Sequence, residues 1–494
     1  MTRKKILILG GGTAGFITAT TIVKFLPNFD VELVYNPNNP VIGVGESTTP
    51  IFTKWCHDVG ISFQELVKEI DSTVKLGIKF SNWNEDEIYY HPFHQFDFLD
   101  NQTQFFNSVS AFEVYTDNNT GAECFSNKTL NANLIAVDNN HNLQGHIAYH
   151  IDGDKFSRFL ENKIQNKIKI YHENIQNLIF QDNILKEVET DQQKITADFF
   201  IDCTGLEKII MKKTKNDWIS KKDYCIMNSA YPIQIPNTDQ IPPYTEAKAH
   251  DNGWMWKIPI GNRYGIGYVY NDSLTSDEHA FDDFQKLLKK DHKHELTNAK
   301  KITFDPGYYK EQWVHNYLPI GLSSGFVEPL ESTNIHMIIA MSTLFCRLLS
   351  DDNSKWARNI YNTSVTKMYE QCFDFIRLHY YTTRSKSKTW KYLQNQTPEW
   401  IFDLKDYLTH NFFTDRDIYF EYDRYFSICL FSTPSYTRIL KGLNFFTAQG
   451  AKKHLDRYNL WEHAPEAYHY LEQLKKDSNY IDHKKYLDQI KGKQ

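Results

Sequence analysis

The sequence contains few cysteines and no long apolar run, and both shortages limit the classes of protein to which it can belong. Its 494 residues include seven cysteines, none of them in a CxxC pair. The odd number and the lack of metal-ligand spacing predict reduced thiols, with neither a disulfide framework nor a metal site. No stretch approaches the roughly 18 apolar residues that a membrane-spanning helix needs, and no signal-like apolar stretch follows Thr2-Arg3-Lys4-Lys5. We therefore expect a cytoplasmic protein that makes no membrane contact.

An excess of positive charge is also missing. The chain has 55 Lys and Arg against 61 Asp and Glu, a net charge of -6, which argues against a nucleic-acid partner. Aromatic residues are abundant instead, at 15% of the sequence. They fit either aromatic-rich cores or stacking surfaces for a planar ligand. The length is sufficient for two or three structural units.

A glycine-rich turn between a strand and a helix opens the chain. The apolar run Ile6 to Leu9 predicts a strand buried on both faces, a helical stretch ends near Leu26, and Val31 to Tyr35 predicts the next strand. Between the first strand and the helix stands a GxGxxG fingerprint, which permits a tight turn and close approach of a pyrophosphate. This context predicts dinucleotide binding by Gly10, Gly12, Thr13, Ala14 and Gly15.

The acidic residue that usually holds the ribose hydroxyls is missing after the second strand. Val34 is followed there by Tyr35 and Asn36. Asn36 and Glu32 are the two substitutes that the sequence offers, and it does not decide between them.

The rest of the chain predicts an α/β fold with a change of character near Ser350. Short strand-like segments fill residues 73–202 and 224–270, and a helix is expected from Thr333 through Leu349. Helical patterns dominate after Ser350. We predict a Rossmann-like dinucleotide-binding domain over residues 1–349, with an inserted mixed or antiparallel β-sheet substrate region. A mainly helical substrate-binding part, residues 350–494, is expected to pack on it.

Four segments of the sequence are distinctive: GVGESTTP at 43–50, the lysine-bearing STVKLGIKF at 72–80, GWMWKIP at 253–259 and PIGLSSGFVEPLEST at 319–333. All four resemble segments of the flavin-dependent halogenase family, in which the tryptophan halogenases are included, and the resemblance extends from the first strand to about Arg384. In the segment at 319–333, Leu322 stands where the related aromatic hydroxylases usually carry Asp, which favours a halogenase.

The resemblance implies FAD as the dinucleotide and an enzyme that uses reduced FAD, dioxygen and a halide ion. A single dinucleotide fingerprint suggests that a separate flavin reductase supplies the reduced FAD without a stable complex. The halide is expected at the backbone N–H groups of Thr333 and Asn334, although many family members have Gly in place of Asn334. Further flavin contacts are expected from Gly45, Glu46, Ser47, Gly321 and Leu330.

The resemblance also assigns the catalytic residues. Lys75 is expected to carry the electrophilic halogen, and Lys79, predicted on the same strand face, is either an alternative or a solvated neighbour. Glu331 would polarise the electrophile or take the ring proton, with Ser332 supporting it. Trp254 and Trp256 would shield the flavin, unless they form an ordinary core pair.

Tyr90-His91-Pro92-Phe93 resembles the family segment that flanks the substrate ring. His91 and Phe93 would sandwich a planar ring, or they belong to an aromatic core cluster. The implied reaction is electrophilic chlorination, bromination or iodination of an indole or phenol. The alternatives are an aromatic hydroxylase on the same fold and a flavin-binding sensor without turnover. A homo-oligomer is left open, and no metal ligand is assigned.

Overall fold

The computed structural model describes residues 3–39, 45–84, 87–93, 102–117, 133–237, 240–296, 299–349, 354–414 and 430–492. The chain forms two compact units, and each unit takes three chain segments. Unit 1 comprises Met1–Ser72, Ile151–Ile226 and Phe304–Phe373. Unit 2 comprises Thr73–His150, Met227–Thr303 and Asp374–Gln494. The domain division after Leu349 stays a prediction.

Unit 1 is built on a parallel sheet of five strands. The first strand of the chain is central and wholly apolar after Lys5, and its residues Ile6 to Leu9 are fully buried, as a strand covered on both faces requires. The predicted first strand, glycine turn and helix are confirmed. The strands lie in the order Tyr317–Pro319, Phe199–Asp202, Lys5–Leu9, Asp30–Tyr35 and Lys169–His172.

Helices and small antiparallel sheets complete unit 1. Its helices are Thr13–Phe25, Pro50–Val59, Phe63–Ile70, Gly153–Ile164 and Thr333–Leu349, with four short 3₁₀ turns at Gly205–Glu207, Met211–Lys213, Gly321–Ser323 and Pro329–Glu331. Its remaining strands are Glu46–Ser47, Ile175–Gln181, Ile184–Thr190, Lys194–Thr196, Trp218–Ser220, Gly307–Tyr309 and Gly325–Phe326. The helix predicted from Thr333 through Leu349 is confirmed.

Unit 2 contains a mixed sheet of seven strands, as the sequence predicted. All neighbours are antiparallel except Gly77–Ser81 and Thr245–His250, which run parallel. The order is Ile302–Thr303, Ser229–Pro236, Arg263–Tyr270, Gly253–Ile260, Thr245–His250, Gly77–Ser81 and Ile88–Pro92. Two smaller antiparallel pairs join Thr73–Lys75 to Ala148–Ile151 and Leu134–Val137 to Asn479–Asp482.

The predicted helical character after residue 350 is confirmed. One short strand, Asn479–Asp482, interrupts it by pairing with a strand more than 300 residues earlier in the chain. The helix Lys355–His379 contains the boundary between the units. The helices of unit 2 are Gln102–Thr116, Asp277–His292, Lys388–Asn395, Glu399–His410, Thr433–Gly442, Ala448–Arg457, His463–Asp477 and His483–Ile490.

One local prediction was wrong: residues 72–80 do not form a single alternating strand. Thr73–Lys75 and Gly77–Ser81 belong to different sheets. The break is at Leu76, whose N–H donates to the Pro243 carbonyl oxygen at 2.8 Å. Lys75 and Lys79 therefore do not share a strand face.

Five cysteines lie in the described ranges, and all five are buried and free. Within those ranges no helix is long and apolar enough to cross a membrane. The same residues contain no group of three His, Cys, Asp or Glu side chains placed to hold a metal ion.

Candidate active site

The three glycines of the fingerprint serve different purposes in unit 1. Gly10 has a φ of +112°, and a Cβ there would lie 2.4 Å from the Cys203 carbonyl oxygen. A Cβ on Gly15 would lie 1.9 Å from the Gly10 oxygen, so the helix can pack only against a glycine. A Cβ on Gly12 would meet nothing within 4 Å. The turn is thus tight at Gly10 and Gly15 and open at Gly12, where a pyrophosphate can approach the backbone at the helix N-terminus.

Glu46 lies beside this turn, and only one of its two carboxyl oxygens is hydrogen-bonded to a residue that the structure describes. Thr13 Oγ1 donates to Glu46 Oε1 at 2.9 Å, and a Cβ on Gly153 would lie 2.4 Å from the same oxygen. Glu46 Oε2 is buried and accepts no hydrogen bond from any residue described. Burial raises the pKa of Glu46 to about 7, with the Thr13 bond acting against the shift and Asp152 adding to it. A buried carboxyl group with a raised pKa and one oxygen without a donor is suited to bind a ligand hydroxyl group at this point.

Gly45 and Ser47, on either side of Glu46, belong to the same family motif. Gly45 is buried with a φ of +96°, and Ser47 follows Glu46 in a two-residue strand. Gly43 and Val44 of the motif lie outside the described residues.

Glu32 and Asn36, the two candidates for binding the ribose hydroxyls, make different contacts. Glu32 is 8% exposed and binds the Tyr171 hydroxyl and the Lys5 ammonium, each at 3.0 Å. Asn36 follows the carboxyl end of its strand, where ligands bind in open parallel sheets, and donates to the Asn174 side chain at 2.6 Å. Position favours Asn36, while the contacts of Glu32 hold it within the sheet.

Gly321 brings the second glycine segment against the nucleotide turn. Its φ is +74°, and a Cβ there would lie 2.9 Å from the Ala14 Cβ. The preceding Ile320 N–H donates to the Asp202 carbonyl oxygen at 2.9 Å, which ties this turn to the carboxyl end of a central strand. Leu330, further along the same segment, is 1% exposed.

Glu331 and Thr333 flank a backbone reversal at the start of a 17-residue helix. Glu331 ends a 3₁₀ turn, Ser332 takes the left-handed conformation with φ +61° and ψ +35°, and the helix begins at Thr333. Glu331, Ser332 and Thr333 are buried, whereas Asn334 is exposed. The first turn of this helix contains no acidic residue. Its N-terminal N–H groups and dipole are therefore suited to an anion.

The buried thiol of Cys372 interacts with both Thr333 and Glu331. Burial raises the pKa of Cys372, a hydrogen bond with the Thr333 side chain opposes the shift, and the Glu331 carboxylate adds to it. Glu331, the candidate catalytic glutamate, and Thr333, the first halide candidate, thus both lie near one thiol.

His336, on the helix Thr333–Leu349, contacts the segment at residues 45–49. Thr49 Oγ1 lies 3.0 Å from His336 Nδ1, and burial lowers the pKa of His336 to about 4. Unit 1 therefore brings together residues 10–15, 45–49 and 321–336, which include the flavin contacts expected from the sequence.

Lys75 lies in unit 2 and is fully buried. Its Nζ lies 5.0 Å from the centroid of the Phe93 ring, a cation–π distance. The Phe93 N–H donates to the Leu76 carbonyl oxygen at 2.8 Å, so the Phe93 backbone is bonded to the residue after the lysine. His91 is 4% exposed, and its ring centroid lies 5.8 Å from that of Phe375. Phe93 thus contacts the lysine, while the His91 ring contacts Phe375.

Lys79 is placed quite differently. Its Nζ lies 3.8 Å from Glu246 and 5.5 Å from the centroid of the Tyr244 ring. Glu246 also pairs with Lys257 at 3.1 Å. Lys79 is thus part of a charge cluster on the seven-stranded sheet, which distinguishes it from Lys75.

The two tryptophans of the WxWxIP segment lie side by side in unit 2. Their ring centroids are 6.2 Å apart, Trp254 is fully buried, and Trp256 is 8% exposed. Trp254 donates from Nε1 to the Tyr380 hydroxyl at 3.0 Å and lies against Trp83. A Cβ on Gly267 would lie 2.1 Å from the Trp256 ring. Trp254 is therefore anchored in an aromatic core, and shielding of the flavin by this pair stays a prediction.

Two buried histidines near Lys75 were missed by the sequence reasoning. His150 bonds to Thr73 and Thr245, and His483 accepts a bond from the Val74 backbone. A histidine inside the otherwise apolar strand Ala148–Ile151 is a signal that points to the first. The sequence around His483 holds no comparable signal.

Comparison with known proteins identifies the relatives of this chain. The sequence profile of the tryptophan halogenase family matches residues 5–457. The tryptophan 6-halogenase ThaL of Streptomyces albogriseolus is 29% identical over 406 residues, which cover 76% of each chain. The tryptophan 7-halogenase RebH of Lentzea aerocolonigenes is 29% identical over 418 residues, which cover 78% of each chain.

A solved structure supports the fold independently. The tryptophan halogenase of Shewanella frigidimarina superposes with a TM-score of 0.85 and 24% identity, covering 99% of this chain and 98% of its own. At that identity the likeness concerns the fold alone.

Proposed function

The chain belongs to the tryptophan halogenase family, and on that premise we propose that it is a flavin-dependent halogenase acting on an electron-rich aromatic ring. The observation that carries this proposal is Lys75, a fully buried lysine whose ammonium group lies over the Phe93 ring. A hydroxylase on this fold has no need of such a lysine. The family match likewise favours the halogenase over the hydroxylase.

Unit 1 offers the features that FAD requires. The space around Gly12 provides room for the pyrophosphate. Beside it, the buried Glu46 Oε2 can accept a hydrogen bond from a hydroxyl group of the cofactor. We assign the flavin contacts to these residues together with Gly10, Thr13, Ala14, Gly15, Gly45, Ser47, Gly321 and Leu330. Bound in its reduced form, FAD together with dioxygen supplies the oxidising power that converts a halide ion into hypohalous acid.

The protein contributes binding, orientation and proton handling. The N–H groups of Thr333 and Asn334 hold the halide at the helix N-terminus. Lys75 orients the electrophilic halogen with its ammonium group or carries it as a haloamine. Glu331 polarises the electrophile or accepts the proton that the ring releases, and the turn at Ser332 holds its backbone.

The substrate is an aromatic molecule such as an indole or a phenol. The contact between Phe93 and Lys75 supports a ring-binding position next to the lysine, with His91 on the same segment. The curated relatives are named as halogenases of tryptophan. Ser385 and Lys386 stand where the resembling family segment usually carries acidic residues after Arg384, so we propose the class of substrate and no single compound.

The function is tested by product mass spectrometry with a panel of indoles and phenols. The purified chain receives FAD, NADH and each halide in turn, with and without a flavin reductase. We expect no product without the reductase, because the sequence holds a single dinucleotide fingerprint, and mono-halogenated product when reductase or chemically reduced FAD is added. Hydroxylated product in place of halogenated product would contradict the proposal. Sustained NADH oxidation by the chain alone would contradict the need for a partner reductase.

Asn334 leads to a prediction about halide choice. It stands where many family members carry Gly, so the anion site is not matched to the small chloride ion, whereas bromide and iodide are easier to oxidise. We expect bromide or iodide to support faster turnover than chloride, and Asn334→Gly to narrow the difference. The measurement is product formed at equal halide concentrations with hydrogen peroxide scavenged. Chloride turnover as fast as the others would contradict the preference, and an unchanged ratio in the variant would exclude Asn334 as its cause.

A further inference from the structure

His483 completes the hydrogen bonding of the strand that bears Lys75. Thr73–Lys75 pairs with Ala148–Ile151, and across the described part of unit 2 no second strand pairs with it. The N–H of Val74 instead donates to His483 Nε2 at 3.0 Å. A buried backbone N–H without an acceptor is destabilising. The imidazole therefore takes the place of a neighbouring strand, one residue before the lysine.

His483 can do this only as a neutral imidazole with its hydrogen on Nδ1. Nδ1 lies 2.9 Å from the Ile241 carbonyl oxygen, which only accepts, so Nδ1 donates and Nε2 keeps its lone pair for Val74. Burial lowers the pKa of His483 to about 4, against smaller raising effects of the Ile241 bond and of Asp482. At neutral pH the ring is therefore uncharged and fixed at both nitrogens.

The last secondary-structure elements of the chain hold His483 in position. Its own N–H donates to the Asn133 carbonyl oxygen at 3.0 Å. Asp482 caps the helix that His483 begins, accepting from the Lys485 N–H at 2.9 Å. This segment lies beyond residue 457, where the family match ends.

His150 holds the same strand through Thr73. The Thr73 hydroxyl donates its one hydrogen to the Pro259 carbonyl oxygen at 2.7 Å, so it accepts from His150 Nδ1 at 2.9 Å. His150 Nε2 then accepts from the Thr245 hydroxyl at 3.0 Å. Burial lowers the pKa of His150, and the charges of Lys75 and His483 add to this shift. It is the second fully buried, neutral histidine that is hydrogen-bonded to the strand Thr73–Lys75.

The backbone is also fixed on the far side of the lysine. The Leu76 N–H donates to the Pro243 carbonyl oxygen, and the Leu76 carbonyl accepts from Phe93, each at 2.8 Å. Lys75 thus projects from a backbone that is held at the two residues before it and at the residue after it. Any loosening of these bonds would move the ammonium group relative to the Phe93 ring.

We propose that His483 and His150 are positioning residues for halogen transfer at Lys75, fixing the backbone from which the ammonium group projects. The proposal rests on the function proposed above for Lys75. Neither histidine needs to touch the reacting atoms. Misplacement of a reacting group by about 1 Å can cost about 100-fold in rate.

The test uses the full chain with reductase, FAD, bromide and an aromatic substrate that the wild type brominates. His483→Ala is expected to lower kcat for brominated product by about 10- to 100-fold. The KM for bromide and the bromination of a β-diketone trap for free hypobromous acid should stay at wild-type values. His483→Gln should restore most of the lost kcat, because its amide oxygen accepts from Val74 while its NH₂ group donates to Ile241. His150→Ala and His150→Gln should behave in the same way.

His454→Ala is the matched control, since His454 is also buried among the C-terminal helices but packs against Phe412 and Tyr458. It should keep the wild-type kcat. A wild-type kcat in His483→Ala would overturn the inference. So would a parallel loss of product, trap bromination and FAD binding without rescue by Gln, since that pattern belongs to a purely structural residue. If the wild type brominates neither substrate nor trap, the proposed function itself fails.

Discussion

Lys75→Ala is expected to abolish halogenated product while FAD binding and flavin oxidation continue at wild-type rates. Lys75 is fully buried with its Nζ over the Phe93 ring, and no role in holding FAD is assigned to it. Loss of one catalytic group typically costs about 100- to 10,000-fold, so product should fall by at least about 100-fold. The measurement is product per unit time by mass spectrometry, with flavin oxidation followed by absorbance. A rate above about a tenth of wild type would remove this role from Lys75.

Lys79→Ala is the matched control for charge and chain position. Lys79 lies in a different sheet from Lys75 and is paired there with Glu246. Its loss should therefore leave the product rate close to that of the wild type. Lys75→Met is a second comparison, because it keeps an unbranched side chain of similar length without the amine. If Lys75→Met retained full activity, the amine would have no part in the chemistry. If Lys79→Ala were the inactive variant, the carrier of the halogen would be Lys79.

Glu331→Gln is expected to lower halogenated product by about 100-fold or more, the loss typical of a general acid or base. Gln keeps the shape of the side chain and its packing but neither accepts a proton nor polarises the electrophile as a carboxylate does. FAD binding and trapped hypohalous acid should be unaffected, because no contact with the flavin is assigned to the Glu331 side chain. The informative readout is therefore the ratio of halogenated substrate to halogenated trap.

Glu328→Gln is the control for a buried carboxyl group in the same turn. Glu328 is 1% exposed, immediately before the 3₁₀ turn that Glu331 ends, and no part in the chemistry is assigned to it. We expect its product-to-trap ratio to match the wild type. An equal fall of the product-to-trap ratio in both variants would mean that any loss of charge in this turn lowers the ratio. That result would contradict a specific role of Glu331.

Local patterns were sufficient to predict the framework of unit 1. The apolar strand, the glycine turn and the following helix are read from some 30 adjacent residues, and Gly10 and Gly15 have the steric reasons that their spacing implies. The helix from Thr333 through Leu349 was likewise visible as one long apolar pattern. Such elements are predictable because their main determinants lie close together in the sequence.

The surroundings of Lys75 were not predictable in this way. Val74, Leu76, Ile78 and Phe80 are all buried, so the apolar alternation continues through Leu76 although the strand breaks there. The break depends on the Pro243 carbonyl, which is far away in sequence. His483 meets Val74 across a separation of 409 residues, and no local pattern records such a contact.

The alternation of the chain between its two units has a practical consequence for recombining halogenases. The chain changes unit after Ser72, His150, Ile226, Thr303 and Phe373. A single gene crossover with a relative would therefore leave at least one unit with parts from both parents. An intact exchange of unit 2 needs five junctions, and it would transfer Lys75, His150 and His483 while Glu331 and the glycine turn at residues 10–15 remained those of the recipient. Hybrids joined at these five positions would test whether substrate range is exchanged together with unit 2.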